Sequence, residues 1–230
     1  MYLYLLFFSA CLGSFSSACI YRYIHDENFI SDRSRCPHCH HTLTWWHLLP
    51  IFSYILLQGK CYYCHKKISC LYPLNECFHI LLFSVLLYIT HDFINTLLWG
   101  IYFSLCFNLS IIDMETQQVP TSILWLLLII ILLLVQPTIY HLLITFTVFL
   151  ILLVMYLCMK HHFGFGDVLY ITLHGLLLHP IALCKAIFIS CILALLFILC
   201  KKRNQFAPIP FIPFLTTGFI IQVFLAFFLQ

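Results

Sequence analysis

Stretches of almost uninterrupted apolar side chains alternate with short polar breaks along the whole chain, except between Tyr21 and about Pro73. A helix needs roughly 20 mostly apolar residues to cross a hydrocarbon core of about 30 Å. The pattern predicts eight spans, approximately Tyr2–Ile20, Leu74–Thr90, Ile94–Ile112, Ser122–Gln136, Ile139–Met159, Val168–Leu178, Ile181–Cys200 and Phe211–Leu229. The fourth and sixth are short, and the sixth crosses only if Asp167 lies at or inside the membrane boundary. The first run has no basic stretch before it and no small-x-small site closing it, so it is expected to be a retained helix.

With short connections, alternate breaks fall on opposite sides of the membrane. One set holds Arg22, Arg33, Arg35, Lys60, Lys66, Lys67, Lys160, Lys201, Lys202 and Arg203, which is 10 of the 11 basic residues, and the other holds only Lys185. Cytoplasmic loops carry the lysine and arginine excess, so the first set is assigned to the cytosol and both termini to the outside. The expected location is the cell membrane, with the bilayer as a partner and no nucleic-acid partner. Composition agrees: of 230 residues, 63% are hydrophobic and 8% charged, and mean hydropathy is +1.02. A soluble domain carries about a quarter charged residues, so a soluble enzyme is excluded, and so is disorder.

Thirteen cysteines suggest a disulfide framework until they are sorted by place. Nine lie in or beside apolar helices, where a thiol behaves as a small hydrophobe. The other four form Cys36-Pro37-His38-Cys39 and Cys61-Tyr62-Tyr63-Cys64, two C-x-x-C knuckles 21 residues apart in the one long polar loop. Four thiolates close tetrahedrally on zinc, and a loop of this size has little core of its own. Cys36, Cys39, Cys61 and Cys64 are therefore expected to bind structural zinc; four cysteine ligands leave no open position for chemistry.

A carboxylate at membrane depth is costly and marks function by default. Asp26, Glu27 and Asp32 belong to the polar loop and Asp92 to an outer turn. Asp113 closes the third apolar run ahead of Val119-Pro120, and Asp167 stands before the sixth in Phe163-Gly164-Phe165-Gly166-Asp167. Both fall at the same depth on the same side, so a bundle can bring them face to face. Two close carboxyls share one proton: the ionised one activates water, and the protonated one polarises a carbonyl and then serves the leaving amine. Asp113 and Asp167 are the expected catalytic pair of an aspartic protease. Gly164 and Gly166 would permit positive φ or a close approach, and Pro120 stops the preceding turn. Glu76 is expected to open the second span, where it complements the helix dipole. Glu115, two residues from Asp113, points elsewhere.

Taken in order, these residues resemble the type IV prepilin peptidases, GxGD membrane aspartic proteases that include the competence-type enzymes. The likeness runs through Gly13-Ser14-Phe15, Ile20-Tyr21-Arg22, both knuckles, Leu49-Pro50-Ile51, Ser53-Tyr54, Gly59-Lys60-Cys61, Tyr72-Pro73 with Glu76, Asp113 with Val119-Pro120, the FGFGD string, and Pro210-Phe211-Ile212-Pro213-Phe214. The resemblance implies removal of a basic leader from prepilins or pseudopilins after a glycine, at the cytosolic face, in support of pilus, type II secretion or competence assembly. It also implies methylation of the new N-terminus with S-adenosylmethionine. Ser17 and Thr121 stand where the family shows asparagine, and asparagine or aspartate, and no glycine-rich nucleotide turn is present. Methylation therefore rests on the resemblance alone.

The expectation is an all-α polytopic protein of about eight transmembrane helices with a cytosolic four-cysteine zinc loop. Residues 1–73 would be the first helix and cysteine loop, and 74–230 the membrane-embedded peptidase. Three alternatives predict different things. A preflagellin or presenilin-like protease shares GxGD but not the knuckles. A transporter needs acids or histidines near the midplane, whereas His141, His174 and His179 lie near helix ends or face no obvious partner. A scaffold would tolerate loss of both aspartates.

Overall fold

The computed structural model describes residues 2–27, 33–159, 164–201 and 209–229. Asp32, Phe163, Lys160, Lys202 and Arg203 lie outside the described residues. Among those described, the protein is all helical apart from two isolated β-bridges, Arg35 with Thr42 and Lys60 with Lys67. The helices are α1 (Tyr2–Ile24), α2 (Phe52–Leu56), α3 (Leu71–Thr90), α4 (Phe93–Thr116), α5 (Thr121–Val135), α6 (Ile139–Cys158), α7 (Phe165–Leu177), α8 (Pro180–Lys201) and α9 (Ile212–Leu229), with a 3-10 turn at Trp45–Leu48. α1, α3, α4, α6 and α8 are long and apolar enough to cross a membrane, and α5, α7 and α9 are shorter apolar helices. Every expected span is thus a helix, and the protein is a multi-pass membrane protein.

Two boundaries move where polar residues enter helices. α4 continues a turn past Ile112, so Asp113 lies within its last turn rather than closing it. α7 starts at Phe165, so Asp167 is its third residue.

The chain divides into two compact units, 1–100 and 101–230, with the boundary inside α4. The first unit takes in α3. There α3 packs closely on α1. Ser9, Gly13 and Ser17 recur every four residues on α1, a small-residue stripe of the kind that lets membrane helices approach. A Cβ on Gly13 would lie 2.9 Å from the Glu76 Cα and 3.1 Å from the Asn75 carbonyl oxygen. Asn75 Nδ2 bridges the same contact, donating to the Gly13 carbonyl at 3.0 Å and to Ser17 Oγ at 2.8 Å.

Gly13→Ala is a sharp test of this contact. Helix propensity favours alanine by about 1 kcal/mol, but the obstructing atoms are backbone and cannot rotate away. Overpacking of about 1–3 kcal/mol is expected to win, and the variant should melt earlier than wild type in detergent. An equal or higher melting temperature would exclude the close α1–α3 approach.

In the second unit, α5 and α6 pack against α7, and α8 against α9. The core here is Leu109, Ile112, Leu127, Ile131, Tyr170, Ile212, Leu215 and Phe219, each at most 1% exposed. Gly218 of α9 lies directly on Ser190 and the Ala186 carbonyl of α8, a contact with no room for a side chain.

Candidate active site and metal centre

In the second unit, Asp113 is buried, and its Oδ2 accepts the Ile212 N–H at 3.1 Å. The Phe211 N–H is a second donor. Phe211 immediately precedes α9 and Ile212 opens it, so neither N–H has a partner within the helix. The carboxylate satisfies them and sits at the positive end of the α9 dipole.

Asp167 is held by its own helix start. Gly164 is the N-cap of α7, and its N–H donates to the Asp167 carboxyl, the third-residue half of a capping box. Asp167 also lies within electrostatic reach of Asp113. The structure thus sets each aspartate on N–H donors at the start of a helix, with the two carboxyls within electrostatic reach of each other.

Neither glycine of the motif uses positive φ, since Gly59 alone among the described glycines does. They provide clearance instead. A Cβ on Gly166 would lie 2.8 Å from Val119 Cβ, so the start of α7 abuts the Val119-Pro120 segment. A Cβ on Gly164 would lie 3.1 Å from Asp167 Oδ2. Pro120 is the N-cap of α5, and its carbonyl accepts from Ile123 and Leu124 at 3.2 and 3.3 Å. Glu115 is exposed.

One turn deeper, a polar layer joins the three helices around the pair. The Thr216 hydroxyl lies 2.8 Å from Tyr170 Oη and 2.8 Å from Ser110 Oγ, which reaches the Cys106 carbonyl at 2.8 Å. Ser110 precedes Asp113 by three residues, Tyr170 follows Asp167 by three, and Thr216 follows Ile212 by four. Each hydroxyl therefore shares a helix face with a group of the site. His174 is fully buried, bonded through Nδ1 to the Tyr170 carbonyl at 2.8 Å and stacked on Phe219 with ring centroids 4.0 Å apart. It is a core histidine. His141 and His179 meet ring to ring at 5.7 Å. Sequence reasoning missed this layer, although Ser110 and Tyr170, polar groups three residues from each aspartate in apolar helices, were a usable sign.

In the first unit, the four knuckle cysteines converge, with one Sγ of each within 4.8 Å of every other. The Cys36–Cys64 separation is 3.9 Å, close to the edge of about 3.8 Å implied by tetrahedral zinc with Zn–S of about 2.3 Å. The knuckles are built alike. His40 N–H donates to the Cys36 carbonyl and His65 N–H to the Cys61 carbonyl, both at 2.9 Å, and both histidines have φ of 55°. His40 and His65 therefore serve as turn residues. Burial opposes ionisation of Cys61, but N–H donors from Cys64 and Tyr63 and the neighbouring thiols bring it down to about 7. At Cys39 the His41 N–H acts the same way but is outweighed by desolvation and three neighbouring thiols, which hold that thiol at about 11. The donor set fits one zinc ion.

Beside the knuckles is a cleft of about 630 Å³ whose walls include Tyr21, Arg22, Arg35, Lys67, Tyr72 and Glu76. Glu76 is the sixth residue of α3 rather than its opening cap, and it is buried. Its Oε2 accepts the Ile51 N–H at 2.6 Å, and the Ser14 side chain is a further partner. It thereby ties the loop to the helix.

Two family models match the chain. Residues 7–90 match the bacterial peptidase A24 N-terminal domain, and residues 100–199 match the type IV leader peptidase family. The chain is similar to the prepilin leader peptidase/N-methyltransferase of Vibrio cholerae, 35% identical over 133 residues, 52% of this chain and 51% of that protein. The protein of the same name from Myxococcus xanthus is 35% identical over 115 residues, 49% of this chain and 33% of that one. The type 4 prepilin-like proteins leader peptide-processing enzyme of Escherichia coli is 28% identical over 93% of this chain and 90% of its own. The chain thus spans about half of the Vibrio relative and a third of the Myxococcus one. No solved structure matches it.

Proposed function

The chain belongs to the type IV leader peptidase family, and on that premise we propose that it is a prepilin peptidase that removes the basic leader of prepilins or pseudopilins with Asp113 and Asp167. The observation that carries this reading is that Asp113 accepts N–H groups at the start of α9 and Asp167 one at the start of α7, with the two carboxyls within electrostatic reach of each other. One carboxyl, ionised, takes the proton of a water that attacks the scissile carbonyl. The other, protonated, polarises that carbonyl and then donates to the leaving amine. Gly164, Gly166 and Pro120 support the pair by holding the starts of α7 and α5 in place. The lysine and arginine asymmetry supports a cytosolic active site, where the leader is exposed and the mature chain begins as an apolar helix.

The knuckle cysteines Cys36, Cys39, Cys61 and Cys64 would hold zinc as a structural ion that fixes the loop. The cleft favours a second activity, methylation of the new N-terminus. Its volume falls in the range of about 300–1,000 Å³ typical of small-molecule sites. Glu76, Tyr21 and Tyr72 suit a sulfonium, and Arg22 and Arg35 suit a carboxylate. S-adenosylmethionine bound there would supply the methyl group.

The test is processing of a prepilin in vesicles containing this chain alone. Leader release read by mass, and its loss when the glycine before the cut is replaced by a bulkier residue, is the expected result. Inertness toward several prepilins would remove the peptidase reading and favour a scaffold or transporter.

A further inference from the structure

We propose that the segment from Trp45 to Leu56 is a membrane-interface anchor, lying in the headgroup layer of the same bilayer that α1 and α3 span and holding the four-cysteine loop against it. The segment sits within the polar loop, yet its largest apolar side chains point outward. Trp45 is 63% exposed, Phe52 65% and Leu56 79%, and Trp46 and Ile55 are similarly open. Phe52, Ile55 and Leu56 stand at i, i+3 and i+4 on α2, so they form one face. Trp45 and Trp46 stack on each other, with ring centroids 3.6 Å apart, and remain outside the core. An apolar patch of this kind on a polar loop marks a contact surface.

The occupant follows from depth. The Ile51 N–H, one residue before α2, is bonded at 2.6 Å to Glu76 Oε2. Glu76 belongs to the second turn of α3, and helical side chains lean toward the N-terminus, so α2 begins level with the first turns of α3. Along α3 from those turns onward, Leu71, Leu74, Phe78 and Leu81 are exposed, one after another, on a single face, as expected of a stripe turned to lipid. The exposed face of α2 therefore starts at the depth where the lipid contact of α3 starts. Chemistry matches that depth. Tryptophan concentrates at the membrane–water boundary. The exposed cations Arg35, Lys60, Lys66 and Lys67 lie in the same loop, complementary to anionic headgroups. Lipid contact here does not depend on the chemistry at Asp113 and Asp167.

The experiment is tryptophan quenching in the full chain carrying Trp99→Phe and Trp125→Phe, which leaves Trp45 and Trp46 as reporters. The chain is reconstituted in vesicles of phosphatidylcholine and phosphatidylglycerol. Emission is expected to be blue-shifted, shielded from acrylamide, and lost to lipid brominated near the headgroup more than to lipid brominated near the chain end. Three results would overturn the proposal: free quenching by acrylamide with no effect of brominated lipid; shielding from both that grows with the protein-to-lipid ratio, which would mean a second copy; or exposure until a prepilin is added, which would mean substrate. Hydroxyl-radical footprinting of the unaltered chain in nanodiscs repeats the test without substitutions. Trp45, Trp46 and Phe52 should be protected relative to Tyr63, and equal labelling would overturn the anchor.

Discussion

Asparagine at Asp113 or Asp167 is expected to stop leader cleavage while leaving the protein folded. Removing one acid–base group costs about 10²–10⁴ in rate, and groups acting as a unit do not add, so the double variant should be no slower than either single one. The substitutions suit the site because asparagine Oδ1 can still accept the Ile212 and Phe211 N–H groups at position 113 and the Gly164 N–H at position 167. Wild-type cleavage should follow a bell-shaped pH profile. It falls on the acid side as the base takes a proton and on the alkaline side as the acid loses one, and both apparent values belong to the pair. Glu115→Gln, at an exposed position beside the site, should leave the rate unchanged. The measurement is leader release per milligram of reconstituted protein, and wild-type rates in either asparagine variant would sink the dyad.

Serine at any one of Cys36, Cys39, Cys61 or Cys64 is expected to empty the metal site and unfold the loop. Structural zinc contributes about 10–16 kcal/mol of apparent binding energy in small peptide sites, and that energy is folding energy. Loss of a ligand should therefore lower affinity by more than the about 10–100-fold typical of outer-shell changes. The sign with pH follows from the ligand form. Zinc binds thiolates, and desolvation and three neighbouring thiols hold the Cys39 proton up to about 11. Metal uptake must release protons, and metal must be lost as pH falls. Metal analysis of purified protein, with protease protection of the loop, checks this: one zinc per wild-type chain, near none in the serine variants. Serine at exposed Cys70 or Cys77 should keep the metal. Full metal content in a Cys61→Ser chain would exclude the four-thiolate site.

What could be read from the residues alone was whatever depends on near neighbours. Hydropathy located the eight longer apolar helices among the described residues, because lipid imposes length and polarity on each span independently of the others. The spacing of Cys36, Cys39, Cys61 and Cys64 marked the cluster that the structure assembles, because a C-x-x-C turn holds two of the four ligands by local geometry. The two aspartates stood out because carboxyls are rare in apolar runs.

Tertiary structure alone decided the partners. Asp113 takes its N–H donor from Ile212, 99 residues on, and Glu76 takes one from Ile51, 25 residues back. Thr216 meets Ser110 across 106 residues. Such pairs depend on how far each helix is rotated and how deeply it sits, and helix crossing is set by packing rather than by the polarity of either strand of sequence. Gly13 illustrates the division. As a residue it was one of seven glycines; only against the backbone of Asn75 and Glu76 does its missing side chain become the reason α1 and α3 can touch. Sequence therefore determined which segments enter the membrane and which residues carry chemistry. The fold decided which of those residues face one another, because contact is a property of three-dimensional registration that no local pattern encodes.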